Sequence, residues 1–124
     1  MPPAPPADQR LPRHETLRKS ADYRLCYRGG RRRAGAFAVY HQRPNGLDAP
    51  RLGITASRKV GRAVVRNRLK RWIRECYRRS ARRSALPPVD IVVHLRSEAA
   101  GASFAALSAE LDRAFVRIER EARR

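Results

Sequence analysis

The stretch Arg62-Ala63-Val64-Val65-Arg66-Asn67-Arg68-Leu69-Lys70-Arg71-Trp72-Ile73-Arg74-Glu75-Cys76 decides how the chain is read. Val65, Leu69, Trp72, Ile73 and Cys76 recur at i, i+4, i+7, i+8 and i+11, the spacing of one buried helix face. The pattern predicts a helix from Arg62 to about Arg83, closed off by Pro87-Pro88. At about 100° per residue, Arg66, Asn67, Lys70, Arg71, Arg74 and Arg78 fan across the far side, with Arg68 at the border. A solvated helix face ordinarily mixes signs, because like charges four residues apart repel by roughly a few tenths of a kcal/mol per pair. Here Arg66–Lys70, Lys70–Arg74 and Arg74–Arg78 are all repulsive, a penalty that a bound polyphosphate removes.

The charge around this helix is placed rather than spread. Residues 58–83 hold twelve Lys and Arg against the single acid Glu75, whereas residues 84–124 hold six of each sign, and the whole chain carries +18. A localised cationic field reads as a docking surface for nucleic acid. Arginine dominates, and its planar fork suits bidentate phosphate contacts and stacking on bases. Just ahead of the helix, Ser57-Arg58-Lys59-Val60-Gly61 brings two cations on a flexible approach to a helix N-terminus, where unpaired N–H groups favour an anion.

Outward from the helix, the 124 residues, 42% hydrophobic, supply one domain with a modest core. Residues 36–42 and 51–57 alternate as strands, and Pro44-Asn45-Gly46 between them supplies turn chemistry, which predicts an antiparallel hairpin. Residues 89–95 form a third strand. Residues 20–28 read as a short helix capped by Ser20 and ended by Gly29-Gly30. Ser103 caps a last helix with the stripe Phe104, Leu107, Leu111, Phe115, Ile118. The order is α-β-β-α-β-α, an α+β domain in which the long helix crosses between parallel strands if the second and third strands share a sheet. General chain chirality prefers a right-handed crossover. The Pro-rich residues 1–14 read as a disordered extension, residues 15–120 as the domain and residues 121–124 as a basic tail.

Alternation gives the sheet two unlike faces. Phe37, Val39, Leu52, Ile54, Ala56, Ile91, Val93 and Leu95 form the core face. Ala38, Tyr40, Gly53, Thr55, Ser57, Asp90, Val92 and His94 form a smaller, more polar face, a shallow groove edged by Tyr23 and Tyr27 of the first helix. Exposed tyrosines stack bases at roughly 1–3 kcal/mol each; buried ones only pack.

Catalytic chemistry leaves no mark. Cys26 and Cys76 fall at apolar helix positions and read as buried thiols, and His14, His41 and His94 lack ligand spacing. No apolar run approaches the roughly 20 residues of a membrane span, and the start Met1-Pro2-Pro3-Ala4-Pro5-Pro6 has no secretory core, which places the chain in the cytoplasm. Three classes remain: an RNA-binding subunit, a nuclease built from dispersed acids, and a structural protein that merely neutralises phosphate.

The run from Arg58 to Glu75 closely resembles the RNR signature of the bacterial ribonuclease P protein subunit. The resemblance extends back through Arg51-Leu52-Gly53-Ile54-Thr55-Ala56-Ser57 to Leu17-Arg18-Lys19-Ser20-Ala21-Asp22-Tyr23 with Tyr27, and forward to Asp90-Ile91-Val92-Val93, about residues 15–118. It implies an α-β-β-α-β-α sandwich with a left-handed crossover, against the general preference. It also implies a noncatalytic subunit, one per RNA, of a ribonucleoprotein whose RNA removes the 5′ leader from precursor tRNA with Mg2+. By that resemblance, Arg66, Asn67, Arg68, Lys70, Arg71 and Arg74 would contact the catalytic RNA, supported by Arg58, Lys59 and Arg62. Tyr23, Tyr27 and Tyr40 would line the leader cleft, and no residue of the protein would be catalytic or hold a metal.

Overall fold

The computed structural model describes residues 11–122. Its elements are α1 (Ser20–Gly29), β1 (Arg31–Ala34), β2 (Ala38–Pro44), β3 (Arg51–Ala56), α2 (Ala63–Arg79), β4 (Val89–Leu95) and α3 (Phe104–Ala122). Short 3-10 turns stand at Arg13–Glu15, Arg58–Val60 and Ser97–Gly101. The expected order holds with one strand added, since β1 lies in an arginine run that carries no apolar alternation.

One mixed sheet runs β1-β2-β4-β3. β2 is antiparallel to β1 and to β4, while β3 is parallel to β4. The expected hairpin of β2 with β3 therefore does not form. β4 is buried at six of its seven positions, the mark of a strand covered on both faces, and it takes the centre between the other two. The loop after β2 still turns as its residues demand, with Asn45 Oδ1 accepting the Leu47 N–H at 2.8 Å, but it leads to the far edge of the sheet.

Helices α2 and α3 cover one face. Leu69, Ile73 and Tyr77 of α2 and Leu107, Leu111, Phe115 and Ile118 of α3 pack with Leu52, Ile91, Val93 and Leu95 in one cluster. At roughly 1.5–3 kcal/mol per buried large side chain, the three from α2 outweigh the like-charge pairs on its outer side, so the helix forms despite them. Tyr77 was not in the expected stripe; it is fully buried, its ring edge-on to Phe115 at 5.6 Å, while Val65, Trp72 and Cys76 lie half-buried at the flanks. The helix stops at Arg79, and a turn at 81–85 brings Arg83 onto Glu15, with Nε–Oε1 at 3.0 Å.

Helix α1 covers part of the other face, where Leu17, Cys26 and Val92 form a smaller cluster. Ser20 is its first residue and Lys19 its N-cap, whereas Ser103 caps α3 as expected, accepting the Ala106 N–H at 3.1 Å. Leu11 packs on the core, Thr16 bridges to Leu52, and Glu121 is buried with Arg33 at 2.9 Å. Residues 1–10, 123 and 124 lie outside the described residues.

Candidate nucleic-acid interface

The residues predicted to contact RNA through the α2 region all stay at the surface. Arg58, Lys59, Arg62, Asn67 and Arg74 are exposed, and Arg66, Arg68, Lys70 and Arg71 are half-exposed. The one acid of α2, Glu75, is taken by Arg78 at 2.7 Å and Arg79 at 2.6 Å. Arg78 is thereby withdrawn from the free cationic row. Among the described residues no carboxylate stands within 4 Å of Arg66, Arg68, Lys70 or Arg74. The approach to α2 is firmer than its glycine implied: Arg58 and Lys59 sit on a 3-10 turn pinned by Val60, which is buried. Gly61 then turns the chain at φ 149°, a conformation that side chains rarely adopt.

Not every cation of the sequence faces outward. Arg51 lies on the inner end of β3 and grips the fully buried Asp90 with two bonds, Nε–Oδ1 at 2.8 Å and Nη2–Oδ2 at 2.7 Å. Asn45 Nδ2 donates to the same carboxylate at 3.0 Å, and Asp22 of α1 stands 3.5 Å from Arg51. These hydrogen bonds to carboxylates raise the Arg51 pKa and tie α1, β3 and β4 into one block under the groove.

The groove is set by strand register. Thr55, His94, Val39 and Ala34 stand opposite one another across β3, β4, β2 and β1, a row about 14 Å long at ordinary strand spacing. The next row, Gly53, Val92, His41 and Arg32, runs beneath and beside α1. Tyr23 packs against Gly53, where a Cβ would meet its ring at 2.7 Å, and donates its hydroxyl to Leu17 O at 3.2 Å. Tyr27 stands 39% exposed at the edge, its hydroxyl 3.1 Å from Thr55 Oγ1, which in turn lies 2.7 Å from His94 Nδ1. The His41 ring meets Tyr27 edge-on at 4.7 Å. Burial first, then Arg32 and His94, lowers the His41 pKa and keeps its imidazole neutral at pH 7.

Tyr40 is not in this groove. It pairs with Val93 in the sheet, points to the α3 side and donates its hydroxyl to Glu110 Oε2 at 2.7 Å. Burial, then that bond, raises its pKa far above the ordinary phenol value. Glu110 also accepts the Ala36 N–H at 2.6 Å, so Tyr40 belongs to a buried clasp between α3 and the β1–β2 turn. Alternation had grouped Tyr40 with Ala38 correctly and assigned the pair to the wrong face; Val39 and His41 line the groove instead. Period two says which residues share a face, while only the register with β4 says which face it is. Thr55 and His94 were placed on the groove face, but Arg32 was missed because β1 was.

The two surfaces meet. Arg74 of α2 shares a small cavity of about 100 Å³ with Tyr23, Leu17, Gly53 and Ile54. Protein atoms crowding its guanidinium lower its pKa, Arg71 adds to the effect and Tyr23 opposes it. The cationic side of α2 and the groove are therefore continuous at Arg74.

The family model for ribonuclease P matches residues 11–119. The chain belongs to the ribonuclease P protein family. It is 40% identical over 111 residues to the ribonuclease P protein component of Acidothermus cellulolyticus, a match covering 87% of this chain and 91% of that one. The Thermotoga maritima component is 44% identical over 82 residues, 65% of this chain and 68% of its relative. In structure, the ribonuclease P protein of Thermotoga maritima superposes with a TM-score of 0.75 at 36% identity, over 84% of this chain and 97% of that one. That of Staphylococcus aureus gives 0.75 at 31%, over 84% and 94%. The α+β fold, one four-stranded mixed sheet with three helices, is that of the ribonuclease P proteins. As a ribonuclease P protein component the chain takes part in tRNA processing, and membership implies an RNA subunit as its partner.

Proposed function

We propose that α2 and the turn before it grip the ribonuclease P RNA, one protein to one RNA, while the groove beside α1 holds the 5′ leader of precursor tRNA. The observation that carries this reading is that Arg66, Arg68, Lys70 and Arg74 have no carboxylate within 4 Å among the described residues, and that α2 is joined at Arg74 to an aromatic-edged groove. Arg66, Asn67, Arg68, Lys70, Arg71 and Arg74 contact the RNA subunit, with Arg58, Lys59 and Arg62 at the rim. In the groove, Tyr27 offers an exposed ring for stacking and Tyr23 a partly covered one, a mode that tolerates any base. The RNA performs the cleavage. The Mg2+ that the reaction needs is carried by the RNA in this reading. Among the described residues no helix is long and apolar enough to cross a membrane, and a cytoplasmic site of action accords with tRNA processing.

Reconstitution tests this directly. The protein alone should leave precursor tRNA intact and, with its RNA, support cleavage at low Mg2+. Arg66→Ala should weaken RNA-subunit binding and reduce the salt slope by roughly one, the value of one phosphate contact. Tyr27→Ala should weaken leader-bearing precursor roughly 5- to 100-fold and leave mature tRNA unaffected. Cleavage by RNA-free protein, or equal losses for precursor and mature tRNA, would refute the proposal.

A further inference from the structure

On the flank of α2 away from Arg66, Lys70 and Arg74 runs a second stripe with different chemistry. Val64, Arg68 and Trp72 follow one another at i, i+4 and i+8, and Val64 is 55% exposed. The Arg68 guanidinium carbon lies 5.3 Å from the Trp72 ring centroid, and its Nε is buried without a hydrogen-bond partner. An aromatic ring, rather than an acid, holds this arginine in place. Trp72 in turn meets Phe104 of α3 edge-on at 5.6 Å, and Phe104 is 43% exposed.

Folding does not explain Phe104. The rest of its stripe, Leu107, Leu111, Phe115 and Ile118, is at most 1% exposed, whereas Phe104 begins the helix outside that seam. Single exposed apolar residues are ordinary on protein surfaces. Here, however, the exposed ring is joined to a second ring and to a guanidinium plane that, among the described residues, has no carboxylate within 4 Å. A protein partner needs about 800 Å² on each side, which two rings and a valine do not provide. A flat heterocycle fits the size, and the Arg68 guanidinium on the indole supplies a positive charge for its phosphate.

We propose that Trp72 and Phe104, with Arg68 laid on the indole, form a stacking site for an unpaired nucleobase of the RNA that α2 grips. The inference rests on the reading of α2 as the RNA-binding face. It adds an uncharged, ring-dependent component of affinity to the phosphate contacts.

Trp72 is the only tryptophan in the chain, so its emission reports on the site alone. The full chain is titrated with the ribonuclease P RNA of the same organism at several salt concentrations. Trp72 emission should change on binding. Phe104→Ala should weaken affinity roughly 5- to 100-fold with no change in the salt slope, because no phosphate contact is lost. Phe104→Leu, which keeps an apolar cover over Trp72 and so guards against misfolding, should weaken it similarly, and Phe104→Tyr should bind as the parent does. Constant Trp72 emission, parental affinity of Phe104→Leu, or a slope reduced by one would each overturn the stacking site. If Arg66→Ala also leaves binding unchanged, the reading of α2 fails with it; if Arg66→Ala acts and Phe104→Ala does not, the stacking site alone fails.

Discussion

Replacing Asp90 by Ala should separate the cations that build this protein from those that serve its ligand. Asp90 is fully buried and accepts three N–H bonds, two from Arg51 and one from Asn45, at 2.7–3.0 Å. Its removal leaves the Arg51 guanidinium, only 20% exposed, with Asp22 at 3.5 Å as its one remaining counter-charge. Breaking a buried pair from one side costs about 3–5 kcal/mol. For a domain of this size that corresponds to a melting temperature lower by roughly 10–25 °C. Circular dichroism melts at pH 7 measure it. Replacing both partners by apolar residues, Arg51→Met with Asp90→Leu, should recover most of the loss, since the desolvation cost goes with the charges. Arg51→Ala, assayed where it remains folded, should leave the salt slope of RNA binding unchanged, because Arg51 already has its counter-ion in the fold. A shift below about 3 °C for Asp90→Ala, or a slope reduced by one for Arg51→Ala, would refute this division.

Three further outcomes follow from the geometry. Tyr40→Phe should lower stability by about 1.5–3 kcal/mol, the worth of a hydrogen bond to a charged group, and leave leader binding unchanged, the reverse of Tyr27→Ala; paired melts and precursor titrations check both. Gly53→Ala puts a methyl 2.7 Å from the Tyr23 ring and should cost about 1–3 kcal/mol as the ring is displaced, read by urea unfolding. His41 has a lowered pKa in a site faced by Tyr27 from α1, Arg32 from β1 and His94 from β4. The unfolded chain therefore binds the proton more readily, and stability should be complete above about pH 6.5 and fall as pH drops below it. His41→Gln should flatten that part of the pH–stability curve.

The helices were legible because their signal is local. Period 3.6 located α2 and its outward cations, and the end of α2 was overrun only because Arg78 to Arg83 offer no breaker before the prolines. Tyr77 escaped notice since a tyrosine scores as surface until its ring is seen against Phe115. The sheet was legible in its strands and not in its order. Nothing in residues 36–57 reveals that a strand 30 residues later will come between them, so the hairpin was the natural inference and was incorrect. The placement of Tyr40 depends on that register and failed with it. β1, three arginines and an alanine, carries no strand pattern at all; it forms because β2 offers it an edge, while Glu121 lies between two of its arginines and offsets one charge.

The position of β4 has a further effect, on the order of events during synthesis. The strand that joins β2 to β3 is the last one to be made. Until residues 89–95 leave the ribosome, β2 and β3 have no neighbour in common, and α2 has no completed sheet to lie on. Closure must wait for contacts distant in sequence, which slows folding and makes it concerted. A nascent chain therefore carries its arginines before it can aim them, and rigid presentation of that face comes only with the C-terminal third.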